Sequence, residues 1–304
     1  MTLSDLLKTF AENILPIFII SGSAYLIGRF FSLDSRTVGR LVFYLFSPVL
    51  VFNLLIRSQL PLNEMVKTAG FAAAVMVSCA LLALIAGLLF RLERSALIAV
   101  ILTSMFANNG NFGLPLISFA FGPAALAHSS IYFVTGSVLA YSLGVLIASL
   151  GHTDVRRALL GLLKVPSIYA LAAAMIVIRF NLQLPVALDR SVSLVAGASV
   201  PMMLVLLGLE LQKAQWTRNL RGLSLGTSIR LLAGPVIGLG LTSLFGITGA
   251  GRQGGVIEAA MPSAVANTVL ATEYKLDSSL VTGTILLTTL LSPLTLTPLI
   301  LFLK

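Results

Sequence analysis

Ten stretches of the chain are each apolar over about the length an α-helix needs to cross a lipid bilayer, roughly 20 residues. They are residues 13–30, 38–56, 68–90, 96–121, 124–150, 165–180, 186–211, 223–244, 251–272 and 279–303. The runs are continuous rather than alternating, which excludes a β-barrel and leaves an all-α polytopic membrane protein. Composition agrees: 57% of the residues are hydrophobic and 10% are charged, against about 25% charged in soluble domains. The net charge of +9 would point to nucleic acid in a soluble protein, but here the basic residues cluster in short segments between runs, where they set topology. No nucleic-acid partner is expected. The one cysteine, Cys79, sits inside a run and reads as packing. Ser21-Gly22-Ser23-Ala24 imitates a signal-cleavage site. The weakly charged residues before it, and a run that continues to Ile27, argue for a retained first span.

Two of the runs are broken. Residues 108–115 read Asn108-Asn109-Gly110-Asn111-Phe112-Gly113-Leu114-Pro115. Asn carries donors and an acceptor into hydrocarbon, Gly is a weak helix former, and Pro lacks the backbone N–H. Inside a bilayer such backbone is tolerated only where it is buried in protein or lines a watery cavity, so the break marks a place for a polar solute. The ninth run has a counterpart over residues 259–268, with Pro262, Ser263 and Asn267. The two are related by spacing. Pro48 in the second run and Pro201 in the seventh lie 153 positions apart (201 − 48), and the same shift carries Asn109 onto Pro262. One register thus overlays the five runs of residues 1–151 on the five runs of residues 165–304. An odd number per half forces the second half to insert upside down, which predicts a 5+5 inverted repeat with ten transmembrane helices. Paired interruptions in such halves are the best sequence pointer to a transport site. Exposed N–H groups at a half-helix N-terminus suit an anion, and exposed carbonyls at a C-terminus suit a cation.

Thirteen of the twenty Lys and Arg residues, Arg230 among them, fall on the side facing the loops between runs 1–2, 3–4, 5–6, 7–8 and 9–10. The positive-inside rule puts that side in the cytoplasm and both termini outward, in a cell (inner) membrane. The polar segment 151–164, with His152, Asp154, Arg156, Arg157 and Lys164, is too short for a soluble domain. His152 and His128 read as solvated loop residues, with no metal-ligand spacing around them.

Residues 108–116 resemble the fourth-span signature of the auxin efflux carrier family of bacterial and plant transporters. Ala259-Ala260-Met261-Pro262 through Ala271-Thr272-Glu273-Tyr274 is similar to that family's ninth-span signature. The resemblance implies that spans 4 and 9 cross at their breaks, as in bile-acid symporter and sodium/proton antiporter folds. It implies a scaffold of spans 1, 2, 6 and 7, a transport domain of spans 3–5 and 8–10 that moves as an elevator, and a homodimer formed through the scaffold. Family substrates are small organic anions, mono- or dicarboxylates such as malonate, malate and auxin. Asn108 and Pro115 match the family's span-4 asparagine and crossover proline. The chain departs from plant members in carrying Asn267 where they have a second crossover proline, and in lacking their long cytoplasmic loop, which points to a compact bacterial member.

The residues expected to meet the solute are Asn108, Asn109, Asn111 and Pro115 from the first break, Pro262, Ser263 and Asn267 from the second, and Ser47 and Asn53 beside Pro48. The asparagine amides serve equally well to cap freed backbone, and Ser47 and Asn53 to join helices. Glu258 lies deep in the ninth run, one turn before Pro262. An ionised acid near mid-membrane costs at least ~2.5–3.5 kcal/mol. Glu258 is therefore either a proton-coupling group or half of a static ion pair with Arg230. The expected function is secondary transport of a small organic anion, linked to protons, with a sodium-coupled symporter of the same fold as the alternative. With His128 and His152 the only histidines, no Ser-His-Asp set or metal cluster is expected; the chain reads as neither an enzyme nor a cofactor binder.

Overall fold

The computed structural model of the chain describes residues 2–31, 33–58, 60–149 and 163–304. His152, Asp154, Arg156 and Arg157 of the polar segment, and Leu150 at the end of the fifth run, lie outside the described residues. Most of the rest is helical. In chain order the helices are α1 (Leu3–Phe31), α2 (Ser35–Ser58), α3 (Leu62–Leu89), α4 (Arg94–Met105), α5 (Leu114–Ala120) and α6 (Gly122–Ala148). They continue as α7 (Pro166–Arg179), α8 (Val186–Leu211), α9 (Leu220–Leu244), α10 (Gly249–Ala259), α11 (Asn267–Glu273) and α12 (Ser278–Leu303).

Among the described residues, seven helices are long and apolar enough to cross a membrane: α1, α2, α3, α6, α8, α9 and α12. The 14-residue α7 reaches about 21 Å at 1.5 Å per residue, short of the ~30 Å hydrocarbon layer. The two interrupted runs are the pairs α4/α5 and α10/α11. Large apolar side chains face outward along the long helices; Phe30, Leu89 and Leu194 are each more than three-quarters exposed. Water would penalise such a surface, whereas lipid solvates it. The first helix begins ten residues ahead of the expected Asn13. There Thr2 and Asp5 form a capping box, Thr2 N to Asp5 Oδ2 at 2.8 Å and Asp5 N to Thr2 Oγ1 at 3.2 Å, which satisfies two otherwise orphaned N–H groups.

Four of the prolines share one local pattern. Wide π-helical turns at Phe10–Ile14, Val42–Phe46, Asn109–Gly113 and Ile229–Ala233 each end two residues before a proline, namely Pro16, Pro48, Pro115 and Pro235. The residue between donates its N–H five positions back, as Ser47 does to Val42 and Gly234 to Ile229. Proline has no N–H, and its ring presses on the carbonyl four residues earlier; one extra residue in the preceding turn swings that carbonyl aside.

Packing sorts the helices into two neighbourhoods. α1 packs on α8, α8 on α2, and α2 on α7, while α3 packs on α4, α6 and α9, α10 on α6 and α9, and α12 on α4, α9 and α11. Gly208 brings α8 against α1: a Cβ there would collide with the Ser21 carbonyl oxygen and lie 2.9 Å from Tyr25 N. Gly208→Ala is expected to cost about 1–3 kcal/mol through overpacking, read as a lower thermal-unfolding midpoint in detergent.

Candidate functional site

The two breaks pair with each other. α4 stops at Met105 and α10 at Ala259, and the non-helical residues that follow run antiparallel, bridged at Ala107 and Ser263. Asn108 N donates to Pro262 O at 2.7 Å, and Ala264 N to Phe106 O at 2.9 Å. Backbone freed by one break is thus satisfied by the other, which solves the problem of unpaired peptide groups in a low-dielectric interior. Side chains complete the accounting. Asn267 Nδ2 donates to Phe106 O and to Ser263 Oγ, both at 3.2 Å, and Ser263 N donates to Thr288 Oγ1 on α12 at 3.1 Å. Asn108 O accepts from Gly113 N at 3.0 Å and opens the Asn109–Gly113 turn. Pro115 then stands at the second position of α5, just past the wide turn that moves aside the carbonyl its ring would meet.

A buried polar cluster flanks this crossing. Asn109 Nδ2 donates to Glu258 Oε2 at 2.6 Å and to the Glu258 carbonyl at 3.0 Å. Glu258 is fully buried and its Oε1 has no partner. Gly113 lets the carboxyl lie this close, since a Cβ there would be 2.9 Å from its Oε1. Arg230, 1% exposed, bonds elsewhere: Nη1 donates to Ser104 O at 2.7 Å and Nη2 to Ala259 O. The ion pairs among the described residues are Lys8–Glu12, Arg57–Asp189, Lys67–Glu64 and Lys213–Glu210. The static Glu258–Arg230 pair weighed from sequence is therefore not formed, because the carbonyls at two helix ends hold the guanidinium instead. Asn108, 5% exposed, has an amide Nδ2 with no hydrogen bond, and so does the neighbouring Ser104 Oγ.

The structure brings Asn108, Asn109, Pro115, Pro262, Ser263, Asn267 and Glu258 together at the crossing, all buried, with Asn111 half-buried in the Asn109–Gly113 turn. Asn53 lies apart, lining a cleft of about 530 Å³ with Leu50, Ser118, Leu126, Ser193 and Pro201. Its Oδ1 accepts from Arg57 Nε at 2.8 Å. Ser47 is buried on α2 and belongs to neither group. The Asn109–Gly113 turn packs on α8, whose Val200, Pro201 and Leu204 wall the cleft, and so links the two. His128 is buried inside α6 rather than solvated, paired through Nδ1 with Thr68 Oγ1 at 2.9 Å; α6 begins at Gly122, so His128 is already on a packed turn. No group of three His, Cys, Asp or Glu side chains among the described residues could hold a metal ion. Arg230, grouped from sequence with the cytoplasmic-side charges and weighed as a partner for Glu258, is the buried residue at the crossing whose contacts sequence reasoning missed. The available signal was an arginine eight residues into an apolar run, followed by Gly234-Pro235.

Seven helices able to cross a membrane, with two interrupted helices paired at their breaks, make a multi-pass membrane protein, and its family and relatives place it among transporters rather than enzymes. Residues 9–156 and 153–300 match the family described as Membrane transport protein, and the chain belongs to that family, the auxin efflux carrier family. It is 28% identical over 291 residues to an uncharacterised transporter of Methanothermobacter thermautotrophicus, covering 92% of this chain and 94% of that one. It is 25% identical over 266 residues to an uncharacterised transporter of Methanocaldococcus jannaschii, covering 85% and 86%. A shorter likeness, 28% over 116 residues, joins it to auxin efflux carrier component 6 of Arabidopsis thaliana, 38% of this chain and 20% of the plant protein.

Proposed function

We propose that the chain is a secondary transporter of a small organic anion, a mono- or dicarboxylate, with Glu258 coupling the movement to protons. The observation that carries the reading is the Asn108 amide. It is a buried donor without a protein partner, set where four half-helices meet. A carboxylate accepts from such an amide, and half-helix N-termini add partial positive charge. The plant relative named for auxin efflux supports the substrate class, since auxin is itself a carboxylate.

In this reading the chain crosses the membrane ten times as two inverted halves, residues 1–151 and 165–304. α4 and α10 end 154 positions apart (259 − 105), and α5 and α11 begin 153 apart (267 − 114), in support of the register inferred from Pro48 and Pro201. The neighbourhood of α1, α2, α7 and α8 is the scaffold and dimer surface, and the other helices form the moving body. The cleft between them has walls from both, Leu50 and Ala196 on one side, Ser118 and Leu126 on the other. Its volume of about 530 Å³ is of the size that small-molecule sites use. Both termini face outward from the inner membrane.

Proteoliposomes loaded against radiolabelled malonate, malate and indole-3-acetate test this directly. Flux of at least one of them above protein-free vesicles, with a rate that follows the imposed pH gradient, is the expected result. The absence of flux for every carboxylate in the panel would overturn it.

A further inference from the structure

Two helices end at the crossing with their C-termini inward, the 12-residue α4 and the 11-residue α10. Each C-terminus presents carbonyl oxygens without intrahelical partners and about half a negative charge. Together they make a cation site of roughly one elementary charge. The fold fills it from within. Ser104 is the next-to-last residue of α4 and Ala259 the last of α10, and Arg230 donates one guanidinium N–H to each of these carbonyls.

Several features hold the guanidinium there. Arg230 sits in the wide turn Ile229–Ala233 ahead of Pro235. Gly234 makes room for it: a Cβ on residue 234 would lie 2.6 Å from both Ala259 O and Arg230 Nη2. Arg230 pairs with no carboxylate among the described residues, so the two helix ends are its counter-charge.

We infer that Arg230 is a resident cation, standing at the crossing where the paired helix C-termini would otherwise take up a coupling metal cation. Sodium binding is therefore designed out of the site. That sodium is also absent from the transport cycle rests on the transport reading above; the occupancy of the helix ends by Arg230 does not.

Thermal unfolding of the purified full chain in detergent tests the inference without any substrate. Sodium chloride is exchanged for choline chloride at constant ionic strength. The wild type is expected to unfold at the same temperature in both. Arg230→Ala exposes the two carbonyls, and its lowered midpoint is expected to recover by at least about 2 °C with sodium or with millimolar ethylguanidinium, but not with choline. A sodium-dependent rise in the wild type would overturn the proposal, as would an Arg230→Ala protein indifferent to all three cations. If Arg230→Ala does not fold, Arg230→Lys retains the charge and is expected to be as indifferent to sodium as the wild type; a sodium-dependent rise in the lysine variant counts against the proposal. Because none of these readings involves flux, a protein that moves no carboxylate would still give an answer.

Discussion

Alanine in place of Asn108 is expected to cut carboxylate flux by about ten- to a hundredfold, the loss of one hydrogen bond to a charged ligand at ~1.5–3 kcal/mol, while barely moving the unfolding midpoint. The split follows from the hydrogen bonds. The backbone of Asn108 holds the crossing, N–H to Pro262 O and C=O from Gly113 N, and alanine keeps both. The side-chain Nδ2 bonds to no protein atom, so the fold loses little with it. Asn109 and Asn267 make the contrast. Their amides hold Glu258, Phe106 and Ser263 in place, and Asn109→Ala or Asn267→Ala strands buried acceptors at about 1–3 kcal/mol. Those two variants are expected to lose stability and flux together. If Asn108→Ala unfolds as early as Asn109→Ala, the amide is structural and the substrate assignment fails.

Glu258→Gln is expected to flatten the pH dependence of flux and to keep the fold. Glutamine matches the shape of the carboxyl and still offers an oxygen to Asn109 Nδ2, so the 2.6 Å bond has a substitute. What it removes is the ability to change charge. With Glu258 fully buried and no cation within ion-pair reach, an ionised carboxylate there has only the Asn109 hydrogen bond to set against its desolvation, which costs several kcal/mol. Its charge can change only together with an arriving proton or ligand, and that is how a coupling group works. Initial rates between pH 5.5 and 8 decide it: a variant whose profile parallels that of the wild type returns Glu258 to a packing role.

The crossing was legible in the sequence because the chemistry that breaks a membrane helix is local: asparagines, glycines and prolines inside two apolar runs. The spacing of Pro48 from Pro201 set the two breaks opposite one another in the sequence. Three things were not legible. The wide turn before each of four prolines depends on carbonyl positions that composition does not state. The partner of Arg230 depends on which helix ends arrive beside it. A loop arginine and a buried one look alike eight residues into a run, so Arg230 was read as a surface charge and then as a partner for Glu258. Its nearest acceptors are backbone carbonyls, which every residue possesses and no sequence pattern marks. Asn53, weighed from its place beside Pro48 as a solute contact or a helix–helix link, stands in the wall of the cleft rather than at the crossing.

The backbone pairing of residues 106–108 with residues 262–264 also constrains how the protein is made. Residues 106–108 emerge from the ribosome more than 150 residues before the strand that satisfies them. Until then the first half carries exposed peptide groups at a depth where lipid offers them nothing. The two breaks close only when both are present, and a chain truncated before α10 is expected to leave the first one open, read as faster proteolysis than that of the full chain.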